Sequence, residues 1–156
     1  MRPLQVSSKG NIILTVVNSE IAKRGYKFIF EKNNLQCMGC ILKKICIDKL
    51  ERGRVYEIVN VRDKEHFCKL LNGKVSIVEV KLASIELSIE RKNAIEGVII
   101  RYHPINCLTP CANIMYCKPP GLFKDDKIKI EKILGPICCM GGKDLVKVIS
   151  SPLLEK

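Results

Sequence analysis

The sequence predicts a mainly β protein with short helices, an α+β chain in which two tandem pseudo-repeats interleave about a pseudo-twofold axis. Three observations carry that reading. Short segments rich in Ile and Val recur along the chain, glycines punctuate the polar stretches between them, and a set of four cysteines occurs twice in the same order. At 156 residues the chain has the length of one domain. Neither half alone supplies a large core, so one domain spanning 1–156 and built from repeats at about 11–82 and 83–150 is expected, not two separate beads.

Each element has its own signal. Ile12 to Val17 is β-branched and reads as a strand, and Asn18 and Ser19 are capable N-caps for a short helix that stops at Gly25. Tyr26 to Glu31 resumes strand character, a cysteine loop follows, and Arg54 to Val61 and Lys74 to Leu82 are strands on either side of a cysteine-bearing turn. The second half runs in parallel. Ser84 to Ile89 alternates with period two, a helix over about Glu90 to Glu96 stops at Gly97, and strands follow at Val98 to His103, Asp126 to Leu134 and Asp144 to Ile149. A strand–helix–strand unit used twice in a mostly β chain points to a small duplicated barrel.

The duplication is read from spacing. Ala22-Lys23-Arg24-Gly25 recurs as Ala94-Ile95-Glu96-Gly97, and Cys37, Cys40, Cys46 and Cys68 are followed by Cys107, Cys111, Cys117 and Cys138 at separations of 70, 71, 71 and 70 residues. Simple core packing would tolerate Val or Ala in either copy, yet all four positions are Cys in both. Four thiolates per unit is the stoichiometry of a tetrahedral zinc or of a cubane cluster. Zinc sites favour two close pairs. Here each unit has one close pair and two single cysteines, a pattern that leans toward two 4Fe–4S clusters with two Zn²⁺ as the alternative. The ninth cysteine, Cys139, has no partner in the first set; it is a buried neighbour of Cys138, a redox-active thiol, or a replacement for Cys138 as the fourth ligand.

Charge narrows the partners. With 27 Lys and Arg against 16 Asp and Glu the formal charge is +11; two sites of charge −2 each would leave about +7. Arg52, Arg54, Arg62 and Lys64 in the first half, with Lys124, Lys127 and Lys129 in the second, are candidate phosphate contacts on one positive face. Aromatic residues make up 5% and Trp is absent, so a base-stacking platform is poorly supplied. No Walker or dinucleotide glycine pattern occurs, and two histidines are too few for a histidine-ligated catalytic zinc, so an enzyme is not the expectation. No apolar run approaches bilayer length and no secretory leader is evident, which together with the metal-like cysteine pattern suggests a cytoplasmic metal protein. The expected function is a metal-stapled basic protein that binds RNA or a ribonucleoprotein, with an iron–sulfur redox, electron-transfer or maturation protein as the alternative.

Four segments together resemble a known family. They are Cys37-Met38-Gly39-Cys40 through Cys46, Leu50-Glu51-Arg52-Gly53-Arg54-Val55-Tyr56, Arg91-Lys92-Asn93-Ala94-Ile95-Glu96-Gly97, and Pro120-Gly121-Leu122 after Cys117. On these the chain resembles the uncharacterised protein family (UPF) 0179 over nearly its whole length. The resemblance implies an archaeal, cytoplasmic source and assigns no biochemical function.

Overall fold

A computed structural model describes residues 12–31, 50–68, 72–107 and 111–153. The chain divides into two compact units, 1–82 and 83–156. Strands β1 (Ile13–Asn18), β2 (Lys27–Ile29), β3 (Val55–Cys68) and β4 (Gly73–Leu82) form the sheet of the first unit, antiparallel in the order β1-β4-β3-β2. In the second unit β5 (Ile85–Glu90), β6 (Ile99–Arg101), β7 (Lys127–Ile137) and β8 (Leu145–Leu153) form an antiparallel sheet in the order β5-β8-β7-β6. The mainly β class expected from the sequence is what the chain adopts, and each sheet draws its strands from one half only.

Alternation explains both cores. In the first unit Val17, Tyr56, Ile58, Val78 and Val80 turn inward with Leu50. In the second, Ile85, Leu87, Ile89, Ile128, Ile130 and Val148 do so with Tyr102 and Leu122. These are the inward positions of a period-two pattern, and burying each aliphatic side chain is worth roughly 1.5–3 kcal/mol. Long strands bend where extra residues are inserted: β3 slips register by one between Ile58 and Asn60 and by two between Val61 and Glu65, β7 by one between Ile130 and Lys132 and by one between Ile133 and Gly135.

The two expected helices are corrected to single 3₁₀ turns, Ser19–Ile21 and Arg91–Asn93. Asn18 does cap, its side-chain oxygen accepting the Glu20 N–H at 2.8 Å. The turn cannot lengthen because the sheet claims the backbone that follows: the Gly25 N–H donates to the Ile58 carbonyl, and the Gly97 N–H to the Ile130 carbonyl, each at 2.7 Å. A helix that short never recovers the cost of its first turn. Among the described residues the α-helix is α1 (Ile114–Cys117), one turn long.

Register also assigns faces in the second sheet. The cross-strand row Glu90–Leu145–Ile137 and the row Ser88–Lys147–Gly135 lie on the face opposite the Leu87–Val148 core, as do Lys127 and Lys129 opposite Leu153 and Ser151. Helix α1 packs on this face against β5.

Candidate metal centre

The second unit gathers its cysteines. Cys107, Cys111, Cys117, Cys138 and Cys139 all line one cavity of about 160 Å³, closed by Ile137 and Leu145 of the sheet, Ile114 and Asn113 at the start of α1, and Met140, Gly141 and Lys143 of the β7–β8 turn. All five thiols are free of disulfides. Local structure places each. Cys107 follows β6, Cys111 precedes the turn into α1, Cys117 ends α1, and Cys138 and Cys139 directly follow β7. The sulfur of Cys111 accepts the Asn113 N–H at 3.4 Å, and the Asn113 side-chain amide donates to the Cys138 carbonyl at 3.0 Å, tying the two ends of the wall together.

Cys117 is the buried member. Its sulfur lies 3.0 Å from the Ser88 hydroxyl, and its carbonyl accepts the Tyr102 hydroxyl at 3.2 Å. Burial, with the charges of Cys117 and Asp126 behind it, pushes the Tyr102 phenol up to about 12, so it stays a donor at neutral pH. Lys147 stands 4.3 Å over the Tyr116 ring and pins α1 to β8. Ser88, Tyr102 and Asn113 carry no motif that marks them in the sequence. Ser88 breaks an otherwise apolar-and-acidic alternation in β5, which is the one signal that points to it.

Of the first quartet, Cys37, Cys40 and Cys46 lie outside the described residues; Cys68 ends β3, half-buried. Among the described residues no three His, Cys, Asp or Glu side chains converge closely enough to hold a single metal ion. The five thiols surround a space and do not meet at a point.

The basic candidates divide. Arg54 is a correction to the exposed set: it is 4% exposed, and its guanidinium donates to the Glu51 carboxylate at 3.2 Å. A cation so placed cannot reach a phosphate. Arg62 is paired with Glu79 at 3.0 Å, while Arg52 and Lys64 are exposed in the same unit. In the second unit Lys124 is exposed in the turn before β7, and half-buried Lys127 and Lys129 lie on the α1 face, Lys127 beside Arg101. His103 sits 3.7 Å from Asp125, away from the cavity wall.

Comparison with known proteins adds the family. The model of an uncharacterised protein family, UPF0179, matches residues 13–150. The chain belongs to UPF0179. A UPF0179 protein of Methanosphaera stadtmanae is 38% identical over 140 residues, covering 89% of this chain and 99% of that one. Those of Methanocaldococcus jannaschii and Pyrococcus abyssi are 38% and 39% identical, covering 87% and 88% of this chain and 91% and 97% of theirs. No solved structure matches. These UPF0179 relatives are archaeal and their names carry no activity, so the chemistry has to be argued from the cysteine-lined cavity. No helix among the described residues is long and apolar enough to cross a membrane.

Proposed function

We propose that this protein is a thiolate-ligated iron–sulfur protein, assembled as two copies of one four-cysteine unit, with the cluster of the second unit seated in the cavity between α1 and the β7–β8 turn. The observation that supports it is that all four sequence-predicted cysteines of that unit, together with Cys139, line one cavity. Its size bears on the occupant. At about 160 Å³ it is roughly ten times the 10–15 Å³ that suffices for one water, room for a polyatomic group. A lone zinc needs its sulfurs drawn to about 2.3 Å from one centre, whereas a cubane spreads its four thiolates around a larger body. The donor set suits a cubane, which takes four thiolates and supplies either an electron or a rigid staple. The protein's own part is to hold the sulfurs, donate from Ser88 to the Cys117 thiolate, and screen the site with Ile114, Ile137 and Leu145. With every cluster position taken by sulfur no place is left for a water nucleophile, so a redox or structural role follows and not hydrolysis.

Anaerobic purification followed by assay of iron, zinc and acid-labile sulfide tests this. Two cubanes give about eight iron and eight sulfide per chain and a brown, reducible chromophore. Stoichiometric zinc without sulfide, or no metal, overturns it.

A second reading is favoured by one observation of its own. Arg101 and Lys127 face each other across β6 and β7, Lys129 stands two residues further along β7, and Lys124 is exposed in the adjoining turn, so four cations share one end of the second sheet. Like charges gathered at one end of a sheet suit RNA phosphates, and cluster and RNA roles are compatible, since a cluster can serve as a staple. RNA affinity that falls steeply between low and moderate salt supports it; salt-independent or absent binding rejects it.

A further inference from the structure

We infer that Cys139, and not Cys138, supplies the fourth sulfur of the second unit's site. The inference rests on the cluster reading above and assigns its ligand. Two independent lines lead there. The first is local geometry. Ile137, the last residue of β7, pairs with Leu145, and both line the cavity, so that row faces it. Both Cys138 and Cys139 line the cavity, but carrying the alternation of β7 past its end sets the exposed Cys138 on the side of Pro136 and the half-buried Cys139 on the side of Ile137. Exposure follows the same alternation: Pro136 and Cys138 are exposed, Ile137 and Cys139 half-buried. The Cys139 sulfur lies 3.7 Å from where a Cβ on Gly141 would stand, and Gly141 is itself a cavity residue. The Gly142 N–H, donating to the Cys139 carbonyl at 3.0 Å, closes the turn that holds it there.

The second line is cross-strand register. In the first sheet the row Asn18–Val75–His66 begins at the cap of a 3₁₀ turn; in the second the row Glu90–Leu145–Ile137 begins at the cap of the other. Cys68 stands two residues beyond His66, and Cys139 two residues beyond Ile137. The residue matching Cys138 is Phe67, which is 63% exposed and not a ligand type. Register therefore pairs Cys68 with Cys139 at a separation of 71, the value shared by the Cys40–Cys111 and Cys46–Cys117 pairs. A spacing of 70 matches Cys68 with Cys138 only because the bulges of β3 and β7 insert different numbers of residues.

The test uses the full chain, purified anaerobically as wild type, Cys138→Ala and Cys139→Ala, with iron and sulfide assayed per chain. Wild-type content in Cys138→Ala and about half that content in Cys139→Ala is the expected result. Loss in Cys138→Ala, or full retention in Cys139→Ala, overturns the assignment. To keep the test decisive should Cys139→Ala fail to fold, the loaded wild type is also treated with iodoacetamide and its cysteine peptides are weighed: alkylation of Cys138 with protection of Cys139 supports the assignment, and the converse overturns it. A wild type without iron and sulfide instead sinks the cluster reading itself, a failure distinct from a swap between the two thiols.

Discussion

The Ser88 hydroxyl and the Cys117 sulfur lie 3.0 Å apart, both buried, across the seam between β5 and α1. Ser88 is 1% exposed although it belongs to the sheet face opposite the core, because α1 covers it. When Cys117 is a thiolate the hydroxyl has to be the donor. Ser88→Ala is expected to lower stability by about 1 kcal/mol, read as an earlier urea midpoint at unchanged slope. It is also expected to shift the midpoint potential of a bound cluster to more negative values, since a hydrogen bond to the sulfur favours the more anionic reduced state. An unchanged midpoint in both titrations would show that the contact carries no energy.

Gly97 takes φ +87 while its N–H donates to the Ile130 carbonyl at 2.7 Å. Nothing stands within 4 Å of where its Cβ would be, so the cost of a side chain there is conformational and not steric. Gly97→Ala is expected to destabilise the protein by about 1–2 kcal/mol, the penalty for a left-handed non-glycine residue. Gly97→Asn, which tolerates that region better, should lose less; an alanine variant as stable as the wild type in thermal melts would contradict the geometry.

Tyr56 ties the segment after residue 49 to the core of the first sheet. Its hydroxyl accepts the Glu51 N–H at 2.8 Å, and burial raises its phenol above the usual 10.0. The unfolded chain therefore ionises this tyrosine first. Its contribution is complete below about pH 10 and is lost as pH climbs through the raised folded value. Urea midpoints at about pH 9 and about pH 11 should differ more for the wild type than for Tyr56→Phe, the difference between the two proteins isolating this group from lysines and thiols that titrate nearby. Equal differences would place the phenol in an ordinary environment.

Much of the fold is legible in the sequence because burial in a two-faced sheet imposes period two directly on it. Ile85, Leu87 and Ile89 in β5, and Ile128 and Ile130 in β7, read as inward positions from their spacing alone. The helices come out too long in such a reading because Asn18 and Gly25 give start and stop signals that are real, yet the distance between them is set by the hydrogen bond from Gly25 to Ile58, which no local window contains. The cysteine cavity is legible as a spacing. Which of the adjacent Cys138 and Cys139 matches Cys68 is not, since that depends on the bulge lengths in β3 and β7. Arg54 misleads for a similar reason: a cation in a basic stretch looks solvated, yet it is buried and paired with Glu51.

That contrast separates charge that can meet a polyanion from charge that cannot. Lys124 is exposed and Lys127 and Lys129 are half-buried in the second unit, whereas Arg54 is buried with its guanidinium on Glu51. If the second unit binds RNA, replacing the three lysines with alanine should weaken binding across all sequences and lower the magnitude of the salt slope by about 2, since each phosphate contact on a single strand contributes roughly 0.7. Arg54→Met should leave that slope unchanged while costing about 1–3 kcal/mol of stability, the range for losing the hydrogen bonds of a buried charged group. Filter binding of a single-stranded RNA over a series of salt concentrations, with urea melts of the same preparations, reads both. A triple variant with the wild-type slope would remove this face from any RNA role and leave the positive charge as counter-charge to anionic clusters.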